Sequence, residues 1–226
     1  MVMNILGGGA AINALANHAG ADIVVLDAGV AADLPDHPSL RSVKVGRGTD
    51  NIAVGPAMSR EQAIRCLEIG IETAGEMIAA GSDLLACGDM GIGNTTPSSA
   101  ITSVITGAGA AITTGRGTGL DDAGLAHKAL VVERAIQVNN PDVKDGLDIL
   151  MKVGGFEIGV LAGVYLGAAA GHRSVIVDGF ISGAAALIAY TIAPEAGNRF
   201  IASHQSVEPG QDRKSTRLNS SHALIS

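Results

Sequence analysis

Hydrophobic and polar positions change period repeatedly along the chain. From Met1 to His18 the apolar residues Ile5, Leu6, Ile12 and Leu15 recur at helical spacing. Gly7-Gly8-Gly9 opposes that helix, because each interior glycine costs roughly 1 kcal/mol; close helix packing would explain its tolerance. "ADIVVLDAGV" (21–30) is a continuous apolar run bounded by glycines and predicts a buried parallel strand. "SVKVGRG" (42–48) predicts a short second strand. Ser59, with Gln62 three residues on, makes a capping-box pattern for a helix running to about Ala80, where Gly81 ends it. "SDLLACG" (82–88) predicts the next buried strand.

Thr96 and Pro97 predict the start of the following helix, with proline in its tolerated first position. "TTGRGTGLDD" (113–122) is a glycine-rich loop, and Asp121 or Asp122 begins a helix reaching Asn139. "KVGGFEIGVLAGVYLGAAAG" (152–171) predicts one small-residue helix, "RSVIVDGF" (173–180) a strand, and "SGAAALIAYTIAP" (182–194) a helix stopped by Pro194. "RFIASH" (199–204) predicts a last short strand. Strands alternating with helices imply an α/β fold with a doubly wound, mainly parallel sheet and helices on both faces. Ligands of such sheets gather beyond the carboxyl ends of the strands. Three of those ends carry polar or glycine-rich turns, at Gly88-Asp89, Asp178-Gly179 and Ser203-His204, and are expected to share one edge.

Composition narrows the function. The 226 residues are 47% hydrophobic, enough to bury one sizeable core. Aromatic residues are 2% with no Trp, which argues against a base-stacking surface, and the net charge of −7 argues against a nucleic-acid backbone binder. No long uncharged apolar run predicts a membrane span, and the first twenty residues lack the basic start of a signal peptide, so a cytoplasmic protein is expected. Cys66 and Cys87 read as reduced, buried thiols, with a disulfide not excluded by sequence. "QDRKSTRLNSSHALIS" loses the strand–helix rhythm. It reads either as a solvated tail or, the favoured reading, as translated vector sequence, so residues 213–226 are set apart from domain 1–212.

The candidate chemistry centres on "GDMGIGNTTPSSA", a glycine loop between a strand and a helix. Backbone N–H groups and the helix dipole there suit a phosphate, worth roughly 0.3–1 kcal/mol from the dipole; a purely structural turn is the other reading. The loop is neither a P-loop nor a dinucleotide fingerprint. Lys128 follows the second glycine loop and would reach a monophosphate as a point charge, or stay solvated. Asp89 and Asp178 stand at strand ends, where they would cap turns or meet a ligand. His18, His37, His127, His172 and His204 have no metal-ligand spacing, so neither a metal nor another cofactor is expected. No G-x-S-x-G element supports a serine hydrolase, and "VLDAGVAADL" lacks what an NAD-dependent oxidoreductase needs.

Seven blocks, in order, resemble the nicotinate-nucleotide:dimethylbenzimidazole phosphoribosyltransferase family. They are "GGAAIN", "GRGTDNIAVGPAMSREQA", "GDMGIGNTTPSSAI", "GRGTGLDDAGLAHK", "KVGGFEIGVLAG", "VDGFISGAAAL" and "SHQSVEPG", and they span nearly residues 1–212. The resemblance implies a Rossmann-like fold with a small helical domain mostly missing here, and homodimers of the full-length protein. It also implies transfer of phosphoribose from nicotinate mononucleotide to 5,6-dimethylbenzimidazole. Carried over residue by residue, the family's phosphate contacts fall on Gly91, Gly117 and Lys128, and Met90 would line the azole pocket. Asn94, Thr95, Asp178 and Ser206 match positions near the nucleotide. Asp89 stands where many members have Glu, one methylene longer, and inherits at most an auxiliary acid–base role. The family's principal base, a Glu in a later glycine-rich motif, has no counterpart before the pattern stops near Asp212. An inactive fragment, with little or no transferase activity of its own, is therefore expected; the alternative is a non-catalytic nucleotide-binding protein or sensor.

Overall fold

The computed structural model describes residues 1–117 and 119–203. Ser206, His204 and the set-apart segment 213–226 lie outside the described residues. The chain divides into two units, Met1–Gly48 and Thr49–Ser226.

In the first unit, α1 (Val2–Leu6) and α2 (Ala11–Ala19) replace the single helix expected over Met1 to His18. The glycine triplet explains the break: Gly8 takes φ +76°, where a helix cannot continue. β1 (Val25–Asp27) pairs in parallel with β2 (Leu40–Ser42), Val25 opposite Leu40. Both are shorter than their apolar patterns predict, and β2 lies upstream of the predicted 42–48. Val43 and Val45 still donate their N–H groups to the carbonyls of Asp27 and Ala28, but beyond the ladder. Asp27 is buried, accepts from the N–H groups of Gly29 and Val30, and pairs with Lys44 at 3.0 Å.

The second unit opens with α3 (Arg60–Ala79), whose capping box is the predicted one: the Ser59 hydroxyl accepts from the Gln62 N–H, and the Gln62 side chain accepts from the Ser59 N–H. β3 (Leu84–Cys87) leads into the glycine loop and α4 (Thr95–Thr106). Asn94 is the N-cap, so Pro97 is the third helical residue rather than the first. It is tolerated because the first four N–H groups of a helix have no partner within it. After α5 (Ala110–Thr113) and the second glycine loop comes α6 (Asp122–Asn139), capped by the Asp121 carboxylate accepting from the Gly124 N–H at 2.8 Å. The single helix expected over 152–171 is instead split. α7 (Gly146–Val153) stops at Gly154, and α8 (Phe156–Ala170) starts after Gly155, whose backbone is extended. β4 (Ser174–Val177), α9 (Phe180–Ile192), a 3₁₀ turn (Pro194–Arg199) and β5 (Phe200–Ala202) complete the unit.

β3, β4 and β5 form a parallel sheet in that order, so the described strands fall into two parallel sheets rather than the single sheet expected. β4 alternates burial, with Val175 and Val177 turned into the core. α8 is apolar all round and correspondingly buried. It crosses α3 with almost no side chain between them: a Cβ on Gly70 would lie 2.0 Å from the Val160 carbonyl oxygen, and one on Gly163 would lie 2.1 Å from that of Leu67. Tyr165 of α8 meets Phe200 of β5, ring centroids 5.0 Å apart. This is the α/β, Rossmann-like class read from the sequence. Among the described residues no helix is long and apolar enough to cross a membrane.

Candidate functional site

Because β3, β4 and β5 run parallel, their carboxyl ends lie on one edge, which brings Asp89, Asp178 and Ser203 to the same side as the sequence predicts. Ser203 is tied to β4 twice: its N–H donates to the Val177 carbonyl at 3.1 Å and its hydroxyl to that of Asp178 at 3.2 Å.

The glycine loop emerges from β3 at this edge. Its flexibility is used at Gly93, φ +85°, and at Gly91, where a Cβ would lie 2.5 Å from the Asn94 amide nitrogen. Met90 is 49% exposed and Ile92 fully exposed, so two apolar side chains face outward from the loop. Asn94 is buried but does not cap its own helix with its side chain. It reaches back instead, donating to the Asp89 carboxylate at 2.5 Å. An N-cap residue that leaves the orphan N–H groups of α4 alone leaves the positive end of that helix facing the loop.

Lys128 joins the two glycine loops. It rises from α6, is only 8% exposed, and donates from Nζ to the Thr95 hydroxyl at 2.8 Å and the Gly115 carbonyl at 3.0 Å. Gly117 has φ +54°, and a Cβ there would approach Thr95 Oγ1 to 3.3 Å and Lys128 Nζ to 3.4 Å. The backbone of the second loop thus lies directly over the lysine. Buried hydroxyls fix the same junction from below: Ser99 donates to the carbonyls of Thr95 and Thr113, and Ser103 and Thr113 share a hydrogen bond of 2.6 Å. Gly91, Asn94, Thr95, Gly117 and Lys128, scattered over three segments of sequence, therefore meet at one end of α4.

Glu157 belongs to the same neighbourhood and was missed by sequence reasoning. It is in the first turn of α8, folded back so that a Cβ on Gly155 would lie 2.8 Å from its carboxylate. Burial pushes its carboxyl pKa up; its own backbone hydrogen bond opposes that rise, the charge of Asp89 adds to it, and the Asn94 amide offsets part of it. Asp89 is also raised, by desolvation first, with Asn94 opposing and Asp178 adding to it. The only sequence signal was an acidic residue after Gly-Gly at a helix start, which reads as ordinary dipole compensation. Among the described residues no group of three or more His, Cys, Asp or Glu side chains is placed to hold a metal.

Parallel strands ending at one edge, with two glycine loops held together there by a buried lysine, define a Rossmann-like α/β protein built around helix N-termini. A family model described as phosphoribosyltransferase matches residues 1–225, and the chain belongs to that family. It is 59% identical over 219 residues to a nicotinate-nucleotide–dimethylbenzimidazole phosphoribosyltransferase of Roseiflexus sp. (strain RS-1), covering 97% of this chain and 62% of the relative. A protein of the same name from Chloroflexus aggregans is 58% identical with the same coverage. The crystal structure of CobT from Thermus thermophilus is similar with a TM-score of 0.92 and 42% identity, over 97% of this chain and 66% of that one. The chain thus spans a little over 60% of the length of the curated relatives it matches.

Proposed function

We propose that this chain carries the nucleotide-binding part of an enzyme that moves phosphoribose from nicotinate mononucleotide to 5,6-dimethylbenzimidazole, releasing nicotinate and α-ribazole 5′-phosphate. The observation that carries the reading is Lys128, a buried ammonium pinned between two glycine loops at the N-terminus of α4. A dianionic monophosphate suits that place: N–H groups at a helix start, a fixed cation and the Thr95 hydroxyl hydrogen converge on it. The names and identities of the relatives support the same substrates.

In this reading Gly91, Gly117 and Lys128 hold the phosphate. Asn94, Thr95 and Asp178 stand near the sugar; Ser206, which the resemblance also assigns there, lies outside the described residues. Met90, half exposed beside the loop, lines the azole pocket. The leaving nitrogen is a cationic pyridinium while bonded to C1′, so the bond breaks with its electron pair on that nitrogen, and nicotinate departs with a neutral ring and needs no acid. The azole nitrogen attacks the opposite face, turning β into α, and its N–H proton must pass to a base, to which Asp89 contributes in an auxiliary way. Orientation of two flat rings supplies much of the rate, and the base roughly 10²–10⁴-fold.

The test is chromatographic. The full-length protein incubated with both substrates should form α-ribazole 5′-phosphate and nicotinate in equal amounts. Tight binding of nicotinate mononucleotide with no product would reassign the protein to the nucleotide-binding sensor class.

A further inference from the structure

We infer that Arg116, to which neither the sequence nor the resemblance gives a role, is a positioning residue for the phosphate: its guanidinium ties the second glycine loop to the start of α6, the helix that carries Lys128, and so fixes the loop backbone over the ammonium. This deepens the proposed reaction and rests on it for its functional meaning, though the tie itself is a property of the protein alone.

An arginine in a glycine loop beside a phosphate site invites a direct contact, since the guanidinium fork matches phosphate oxygens. The contacts of Arg116 run the other way. One terminal nitrogen donates to the Leu120 carbonyl at 2.8 Å and the other to the Asp122 carboxylate. Its own carbonyl accepts from the N–H groups of Gly119 at 3.2 Å and Leu120 at 3.1 Å. Side chain and main chain thus close the same short segment. The Arg116 side chain is also 52% exposed, whereas Lys128 is buried beneath the loop. The two cations divide the work: the buried one faces the ligand, and the outer one holds the loop.

The segment needs such a tie. Glycine stands at 115, 117 and 119, and Gly117 and Gly119 take φ +54° and +108°. Glycine loses more backbone freedom on ordering than any other residue, so a loop of this composition keeps one shape only against a large entropy cost. The residues that meet the lysine flank Arg116 on either side. The Gly115 carbonyl accepts from Lys128 Nζ at 3.0 Å, and a Cβ on Gly117 would lie 3.4 Å from the same nitrogen. At its far end the loop enters α6 through Asp121, whose carboxylate caps the helix, and Asp122, the first helical residue. The contact from Arg116 to Asp122 therefore refers the loop to the rigid element that places the ammonium.

Lysine could not make the same tie. An ammonium is a point charge, whereas the fork serves two acceptors on separate residues. The pair with Asp122 is exposed, and an exposed ion pair adds little to global stability. Its effect is local, on the gap between loop and lysine.

A double-mutant cycle in the full-length protein tests this, with nicotinate mononucleotide as the probe and calorimetry as the reading. Arg116→Gln should weaken binding roughly fivefold. It should raise KM for nicotinate mononucleotide by the same factor and leave KM for the azole unmoved. Added to Lys128→Ala, the same substitution should weaken binding by less than about twofold more, because the loop then has no ammonium to sit over. Losses that multiply would overturn the inference and make Arg116 an independent phosphate contact. Arg116→Lys keeps the charge and loses the fork, so it should bind as weakly as Arg116→Gln. Full rescue by lysine would also overturn the inference, and it decides alone should Lys128→Ala fail to fold. Hydrogen exchange on the ligand-free protein reads the tie directly: the N–H groups of Gly119 and Leu120 should lose protection in Arg116→Gln and in Asp122→Ala, with the thermal midpoint near that of wild type. Unchanged exchange in both variants would refute the tie. A wild type that binds inorganic phosphate with the same cycle, yet forms no α-ribazole 5′-phosphate, would sink the proposed reaction and leave Arg116 as the positioning residue of an anion site.

Discussion

At Lys128 the ammonium donates to an oxygen on each glycine-loop segment, Thr95 Oγ1 and the Gly115 carbonyl. A lysine this buried is retained where a charge is wanted, because burying an ammonium without compensation is costly. Hydrogen bonds to charged groups contribute about 1.5–3 kcal/mol. Lys128→Ala in the full-length protein should therefore weaken nicotinate mononucleotide by about tenfold or more, read by calorimetry, and unchanged affinity would reject the phosphate role. Gly117→Ala tests the loop above it. With φ +54° and two polar atoms within 3.4 Å of the new Cβ, alanine should cost about 1–2 kcal/mol in the chemical-denaturation midpoint and disturb the Lys128 contact. Both residues were legible in the sequence, because each lies in or just after a glycine-rich loop. Glu157 was not: nothing next to it in the chain hints at Asp89, and only the fold makes them neighbours.

Helices α3 and α8 make the sharpest element-scale statement. Their crossing is so close that glycine is a packing requirement at Gly163, where a Cβ would sit 2.1 Å from the Leu67 carbonyl oxygen. Gly75, on an exposed turn of the same α3, meets nothing within 4 Å. Gly163→Ala should destabilise by about 3 kcal/mol or more, because a backbone atom cannot yield as a side chain can. Gly75→Ala should instead stabilise by about 0.5–1 kcal/mol through the unfolded state. Parallel urea titrations compare the two, and equal effects would refute the close-crossing argument. The contrast also explains what sequence could and could not see in the elements. Start and stop signals are local, so Ser59 with Gln62 and Gly81 framed α3 almost to the residue. By composition Gly154-Gly155 belongs to a small-residue helix like Gly163 and Gly167, yet it ends α7 and precedes α8. Composition does not separate a packing glycine from a breaking one; the facing backbone does. β2 was misplaced for a related reason, since Val43 and Val45 alternate like a strand but the register set by β1 ends at Ser42.

For the whole molecule, five acids of the second unit that desolvation perturbs act in one direction. Asp89 and Glu157 are raised, Cys66 and Cys87 are each pushed up to about 12 from 9.0 by burial, and Tyr165 is held well above its usual value by burial and by Cys87. All five are neutral when protonated. Folding thus favours the protonated form, and the unfolded chain gives up the proton at lower pH. Each contribution is complete below the unfolded pKa and is lost as pH rises through the folded one. The carboxyl contributions are lost as pH rises above the ordinary carboxylate range, and those of the thiols between 9.0 and about 12. Each thiol contributes a slope of about 1.4 kcal/mol per pH unit across its window. With a net charge of −7 and a pI near 5.2, rising pH also adds self-repulsion. Stability should therefore peak on the acid side of neutrality and fall steeply above about pH 9, measured by urea unfolding at a series of pH values. The Cys66→Ala, Cys87→Ala double variant separates the two causes. It removes the thiol ionisation but leaves the carboxylates, Tyr165 and the acidic balance, so its alkaline slope should fall by up to about 2.8 kcal/mol per unit within the thiol window, while its behaviour below neutrality stays parallel to wild type. An unchanged alkaline slope in that variant would place the loss in Tyr165 and overall repulsion instead of in the two buried thiols.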